Sequence, residues 1–357
     1  MSGKHTLFLV HGVGVHAPGT WADEVVEKLK SVSEAYATFR DEPLEERVEF
    51  VPVSYDQHLT AALDRWKQSG QTLAAFARAS ELVDADSMSW LDDVLPDETS
   101  FVWTHVVDVV LYRFFRLEQG RIQDSVKLQI GERVAQGLDR DASASFSVLA
   151  HSLGTAVAHD ALAELAAPTL DGRVNTLAPP NFRFNAIHML ANTSRLLQTR
   201  IKAYESMVRP GPRNSKSSYC LRYYDYRHEL DPIVVARTFE PSGWGDLFTG
   251  ALVRHYRDWD IHGFAHYLDN PRVHVPILNS LTRVDAIPRP ERATAVGDYA
   301  QFGGKLQAVA EVQARIGELA ALKHQLEEDA SLSEAFDTIR KMLAVLGEIR
   351  DAIGGAP

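Results

Sequence analysis

The 357-residue chain has one cysteine, Cys220, so no disulfide can form within it. That excludes a disulfide scaffold and points to a reducing compartment, with the cytoplasm as the expected location. Long apolar runs are missing too. The run from Thr6 to Val10 is too short for the core of a secretion signal and leads straight into His11-Gly12. The most apolar later stretch, Phe101 to Leu117, contains Thr104, His105, Asp108, Arg113 and Arg116. Each charge at a bilayer centre would cost about 2.5–3.5 kcal/mol, so no transmembrane segment is expected. Positive charge is the third scarcity. There are 37 Lys and Arg residues against 48 Asp and Glu, a formal net charge of −11. Such a surface repels phosphate backbones, and no nucleic-acid partner is expected.

What is present suits a folded protein. Hydrophobic residues make up 45% of the chain, enough for a sizeable core, and this excludes disorder. Strands alternate with helices over most of the length. Thr6–Val10, 48–53, 145–150, 184–191, 219–226 and 251–259 read as strands, and 21–39 and 153–167 as helices. This alternation predicts an α/β fold with a mostly parallel sheet covered on both faces. The stretch between His11 and Ser152 is longer than two βα units require, and the excess falls in 57–139. The basic, proline-containing stretch 209–218 reads as a mobile surface loop. Pro288 and Pro290 mark a boundary, and from Tyr299 onward the pattern is helical only. Val309, Val312, Ile316, Leu319 and Leu326 form one apolar stripe; Leu332, Phe336, Ile339, Leu343 and Leu346 form another. The expected units are a core of 1–56 and 140–288, a helical insertion or cap at 57–139, and a C-terminal helical hairpin at 289–357. Paired stripes on acidic helices suit a coiled-coil contact, so the hairpin is a candidate for homo-oligomerisation.

The strongest chemical signal is Ser147-Val-Leu-Ala-His151-Ser152-Leu153-Gly154. A serine between a buried strand and a helix, with small residues two positions to either side, describes a nucleophile elbow. The helix beginning there aims its free N–H groups at any oxyanion formed on Ser152. A second signal follows the first strand, His11-Gly12-Val13-Gly14-Val15-His16. Acyl transfer needs two converging N–H donors. The candidates are the N–H of Leu153 and that of Val13 or Gly14. By itself Gly12-x-Gly14-x-x-Ala17 also fits a variant dinucleotide fingerprint. Pro18-Gly19 reads as loop where that reading needs a helix. His11, Gly12, His16 and His151 are candidates for lining a substrate pocket.

These residues resemble the α/β-hydrolase family, and within it the lipase and esterase-like branch with an early His-Gly pair and an Ala-His-Ser-Leu-Gly elbow. The resemblance covers about residues 5–55 and 100–285. It implies an α/β-hydrolase fold and a triad in the order serine, acid, histidine. Asp231, in Asp231-Pro-Ile-Val, resembles the family's acid loop, with Asp225 and Glu229 as rivals. His262 and His266 are the candidate bases. His262, followed by Gly263, Tyr267 and Pro271, fits the family's spacing better. His262 and His266 also have the i, i+4 spacing of metal ligands, but no acidic residue completes an H-E-x-x-H pattern, and no metal is expected. The implied activity is a serine hydrolase cleaving a carboxylic ester, lipid ester or thioester through an acyl-enzyme, without a cofactor. The alternatives are an acyltransferase on the same triad or an inactive binding protein on the same fold. Trp66, Phe76, Trp90, Phe101 and Trp103 would supply the cap with apolar surface for a substrate, or close a helical core.

Overall fold

The computed structural model describes residues 4–12, 20–69, 116–170, 172–195, 197, 203–235, 238–254, 261–282, 287–306, 310–328, 338, 341–342 and 344–348. Its centre is a parallel sheet of six strands. These are β1 (His5–Val10), β2 (Val48–Val53), β3 (Phe146–His151), β6 (Phe184–Leu190), β7 (Cys220–His228) and β8 (Phe248–Val253), in the order β2-β1-β3-β6-β7-β8. A two-stranded antiparallel pair, β4 (Thr169–Leu170) and β5 (Arg173–Val174), lies apart from it. The central strands are apolar on both sides, as a sheet covered on both faces requires. Phe8, Val10, Val148 and Ala150 face one core, and Leu7, Leu9 and Leu149 face the other.

Helices cover both faces. On one side lie α1 (Thr20–Ser33) and the later pair α8 (Phe264–Asp269) and α9 (Pro271–Ser280). On the other lie α5 (Arg116–Arg140) and α6 (Leu153–Leu165), preceded in the chain by α4 (Asp56–Ser69). Two short helices, α2 (Ala37–Asp41) and α3 (Leu44–Arg47), lead into β2, and α7 (Pro232–Val235) follows β7. After β2, at one edge, the chain returns to the far side of β1 to form β3. Such a reversal leaves a crevice at the carboxyl ends of β1 and β3, the expected place for a ligand in an open α/β sheet.

Several expectations need correction. The helix expected over 21–39 is two helices, because Tyr36 takes extended backbone (φ −108°, ψ 131°) and turns inward. Its hydroxyl donates to His274 Nε2 at 2.6 Å, since Nδ1 of that ring donates to the Leu268 carbonyl. The last strand begins at Phe248, three residues earlier than expected, because its register with β7 pairs Phe248 with Tyr223. The loop 209–218 is not loose. Gly211 N and Tyr219 N donate to Cys220 and Arg209 carbonyls, and Arg209 Nε donates to Ser217, folding it onto the start of β7. The helix expected from Tyr299 begins at Arg289 (α10, Arg289–Leu306), since proline is tolerated in a first turn.

From α11 (Ala310–Glu328), Leu319 joins Met342, Val345 and Leu346 in the same core as Ile233 and Val235 of α7. Arg315 bridges Glu348 at 2.8 Å across the hairpin. Leu319 and Leu346, the stripe residues whose burial is described, are thus buried within that core. Among the described residues no helix is long and apolar enough to cross a membrane. Phe76, Trp90, Phe101 and Trp103, and the side chain of Trp66, lie outside the described residues.

Candidate active site

Sheet register brings the relevant turns to one corner. Val10 pairs with Ala150 and His151 with Leu190, so the turns after β1, β3 and β6 emerge side by side. Ser152 occupies the junction between β3 and α6, with φ 52° and ψ −128°. A non-glycine residue there costs about 1–3 kcal/mol and persists only when its surroundings hold it. They hold it at both ends. Its N–H donates to Leu190 O at 2.9 Å. Its carbonyl accepts from Thr155 N (2.9 Å), Thr155 Oγ1 (2.6 Å) and Thr193 Oγ1 (2.9 Å).

Space around the elbow is equally constrained. A Cβ on Gly154 would lie 1.9 Å from the His11 carbonyl oxygen, so only glycine lets α6 start against the first turn. A Cβ on Gly12 would stand 2.9 Å from both Ser152 Cβ and His151 Nδ1. The His-Gly turn after β1 is thus in contact with the elbow. Val13, Gly14 and His16 lie outside the described residues.

Three side chains from three strand ends converge here. Ser152 Oγ lies 2.7 Å from His262 Nε2, and His262 Nδ1 lies 2.8 Å from Asp231 Oδ2. All three residues are at most 2% exposed, so their electrostatic coupling is little screened by water. The carboxylate fixes the tautomer. Nδ1–H donates to Asp231, leaving Nε2 to accept the serine proton. Asp231 also caps α7, accepting from Ile233 N at 3.1 Å on its other oxygen. Tyr267, one helical turn into α8, donates its hydroxyl to Asp231 Oδ2 at 3.1 Å and accepts from His228 N at 2.9 Å. Burial, and then the neighbouring Asp231 charge, push the Tyr267 phenol well above its ordinary range, so it remains a donor.

The other candidates take different places. His266 is buried in α8 with its ring against that of His228, centroids 5.4 Å apart. His151 is 7% exposed and donates Nε2–H to the His262 carbonyl at 2.7 Å, which steadies the backbone of the proposed base. His11 stacks on Tyr55 with centroids 4.1 Å apart, bonds the Gly12 carbonyl at 2.7 Å and makes an ion-pair contact with Asp56 at 3.1 Å. Leu153 begins α6 fully buried beside Ser152. Asp225 sits inside β7, where Asn192 donates to it at 2.8 Å, and burial pushes its carboxyl up to about 7. Glu229 instead pairs with Arg254 at 3.3 Å. Among the described residues no group of three or more His, Cys, Asp or Glu side chains is arranged to hold a metal ion.

Thr155, Thr193 and the Asp231 contact of Tyr267 were missed by sequence reasoning. Thr155 lies one residue beyond the elbow glycine, and Tyr267 stood out by spacing alone. Nothing local marks Thr193. No family model matches the chain, and no curated protein matches it.

Proposed function

We propose that this chain is a serine hydrolase of the α/β-hydrolase kind, acting on an ester or thioester through an acyl-enzyme. The observation that carries the reading is the continuous contact from Ser152 Oγ through the His262 ring to Asp231, at 2.7 and 2.8 Å. A strained serine at the start of a buried helix, beside a glycine turn at the sheet's reversal point, supports it further.

In this mechanism Ser152 Oγ attacks the substrate carbonyl carbon while His262 Nε2 takes its proton. Asp231 keeps Nδ1–H in place and stabilises the imidazolium. The oxyanion is held by the N–H of Leu153 and by one from the turn after Gly12, each worth about 3 kcal/mol in the transition state. His262 then protonates the departing alcohol or thiol. Water, activated by the same imidazole, attacks the acyl-serine and restores the hydroxyl. α5, although within the expected insertion 57–139, belongs to the sheet's own cover, packing beside α6 in the same core.

The test is covalent labelling by a fluorophosphonate probe. The wild-type chain is expected to label, and Ser152→Ala and His262→Ala are expected to lose the label while keeping the wild-type melting transition. A wild type that stays unlabelled, or a Ser152→Ala variant that still labels, overturns the proposal.

A further inference from the structure

The amino ends of the strands, the sheet end opposite Ser152, hold a cavity of about 770 Å³. Strands of six residues separate the two ends by about 20 Å. The cavity lining includes Lys4, Arg47, Arg183 and Arg213, with Glu42 and Glu46 as its carboxylates. Glu42 is engaged by Arg47 at 2.7 Å. The wall is therefore basic in a chain of net charge −11, and a local reversal of that kind concentrates anions.

Arg183 carries the more specific signal. It precedes β6, and its Nη1 donates to the Pro212 carbonyl in the folded-back basic loop. Its Nε and Nη2 are shielded from water and have no acceptor. A guanidinium with two donors unmet is costly, and its fork fits two oxygens of one anion. Among its donors Nη1 alone is tethered, and the side chain lines the cavity. Burial lowers the guanidinium from its ordinary value, a shift that a bound anion reverses. The same loop carries Arg213 to the cavity wall one residue after Pro212. Ser143 and Thr282 also line it, but their hydroxyls already donate to Asp141 and to the Asn279 carbonyl. The unmet Arg183 edge, the Arg213 guanidinium and the Lys4 ammonium together exceed what the two oxygens of a carboxylate can use, whereas a phosphate offers three or more. The volume is that of a small-molecule site.

We propose that this cavity binds a phosphate-bearing small molecule, with its phosphate seated between Arg183 and Arg213. The site is independent of the Ser152 chemistry and would stand if that reading fell.

Calorimetric titration of the full chain with inorganic pyrophosphate, at ionic strength matched with sodium chloride, tests it. Binding with a Kd below about 1 mM is expected. Arg213→Ala, a change in an exposed loop residue, should weaken it by about tenfold or more. Arg183→Lys, which keeps the charge and loses the fork, should do the same, and each variant's melting transition reports whether it is folded. The proposal falls if pyrophosphate binds no better than the matched chloride, or if folded Arg213→Ala retains wild-type affinity. It also falls if the chain binds phosphatidic-acid vesicles but not free pyrophosphate, which would assign the basic surface to a membrane.

Discussion

Each end of the sheet holds a serine against a histidine. At the carboxyl end Ser152 meets His262 at 2.7 Å, and at the amino end Ser145 and Ser147 meet the two nitrogens of His5 at 2.8 and 2.9 Å. The distances barely differ, but the surroundings do. His262 has a carboxylate on its far nitrogen; His5 has a second hydroxyl there, already occupied in accepting from Ala186 N. Burial with no opposite charge pushes His5 down to about 4. His5 therefore resists taking a proton, whereas the Asp231 carboxylate lies against the far nitrogen of His262. Ser152 is also strained and stands at the start of a 13-residue helix, and Ser145 lies in neither setting. A serine–histidine contact alone is thus ordinary polar packing, and even with a third group, a carboxylate on the far nitrogen, as at Ser206, His159 and Asp160, it lacks the strained elbow of Ser152.

The largest way to break this contrast is to remove the third group. Asp231→Asn is expected to lower fluorophosphonate labelling by about 10⁴-fold with folding intact, because the amide favours the wrong imidazole tautomer. Ser145→Ala should leave the labelling rate unchanged. Equal losses in the two variants would erase the distinction between the ends.

The next effect is on stability against acid. His5 titrates near 4 in the folded chain and near 6.5 when unfolded. Between those values the unfolded chain binds more protons, so stability rises with pH across the window and is lost as pH falls through it. The His5 share is at most about 3 kcal/mol. His188, pushed to about 3, and His274, pushed to about 4, act in the same direction. Denaturant melts of His5→Gln at pH 4.5 and 7 should show a smaller pH difference than the wild type. An unchanged difference would mean that His5 is charged in the folded state.

The smallest expected effect sharpens the carboxyl end. Tyr267→Phe removes one donor from Asp231 and leaves His228 N–H without its acceptor. A loss of about tenfold in labelling rate is expected. With less of its charge shared, Asp231 holds the His262 imidazolium more tightly, so the acid limb of the rate profile should move to higher pH. A rate loss with an unmoved profile would make Tyr267 a packing residue only.

Much of the layout was legible locally. Continuous apolar runs such as Leu7–Val10 announce buried parallel strands, and the strand–serine–helix order around Ser152 announces a turn with few conformations open to it. Asp231 before Pro232 was readable because a carboxylate ahead of a proline-started helix has a definite place. What stayed hidden depends on register between distant strands. Thr193 reaches the Ser152 carbonyl only because His151 pairs with Leu190, and nothing near Thr193 in the chain records that pairing. The break at Tyr36 was hidden for the same reason, since the partner that draws this ring inward, His274, lies on a helix from the far end of the chain. The C-terminal stripes were visible, but that Leu319 and Leu346 join the core of Ile233 and Val235 was not.

Ser152, Asp231 and His262 follow β3, β7 and β8, and β8 is the outermost strand on its side. An amino-terminal fragment ending before that edge carries the serine without its partner imidazole. On the proposed mechanism, reactivity toward a phosphonate therefore doubles as a clock for the last strand's docking. On that mechanism, any condition that peels this edge away ends labelling, whatever becomes of the remaining strands.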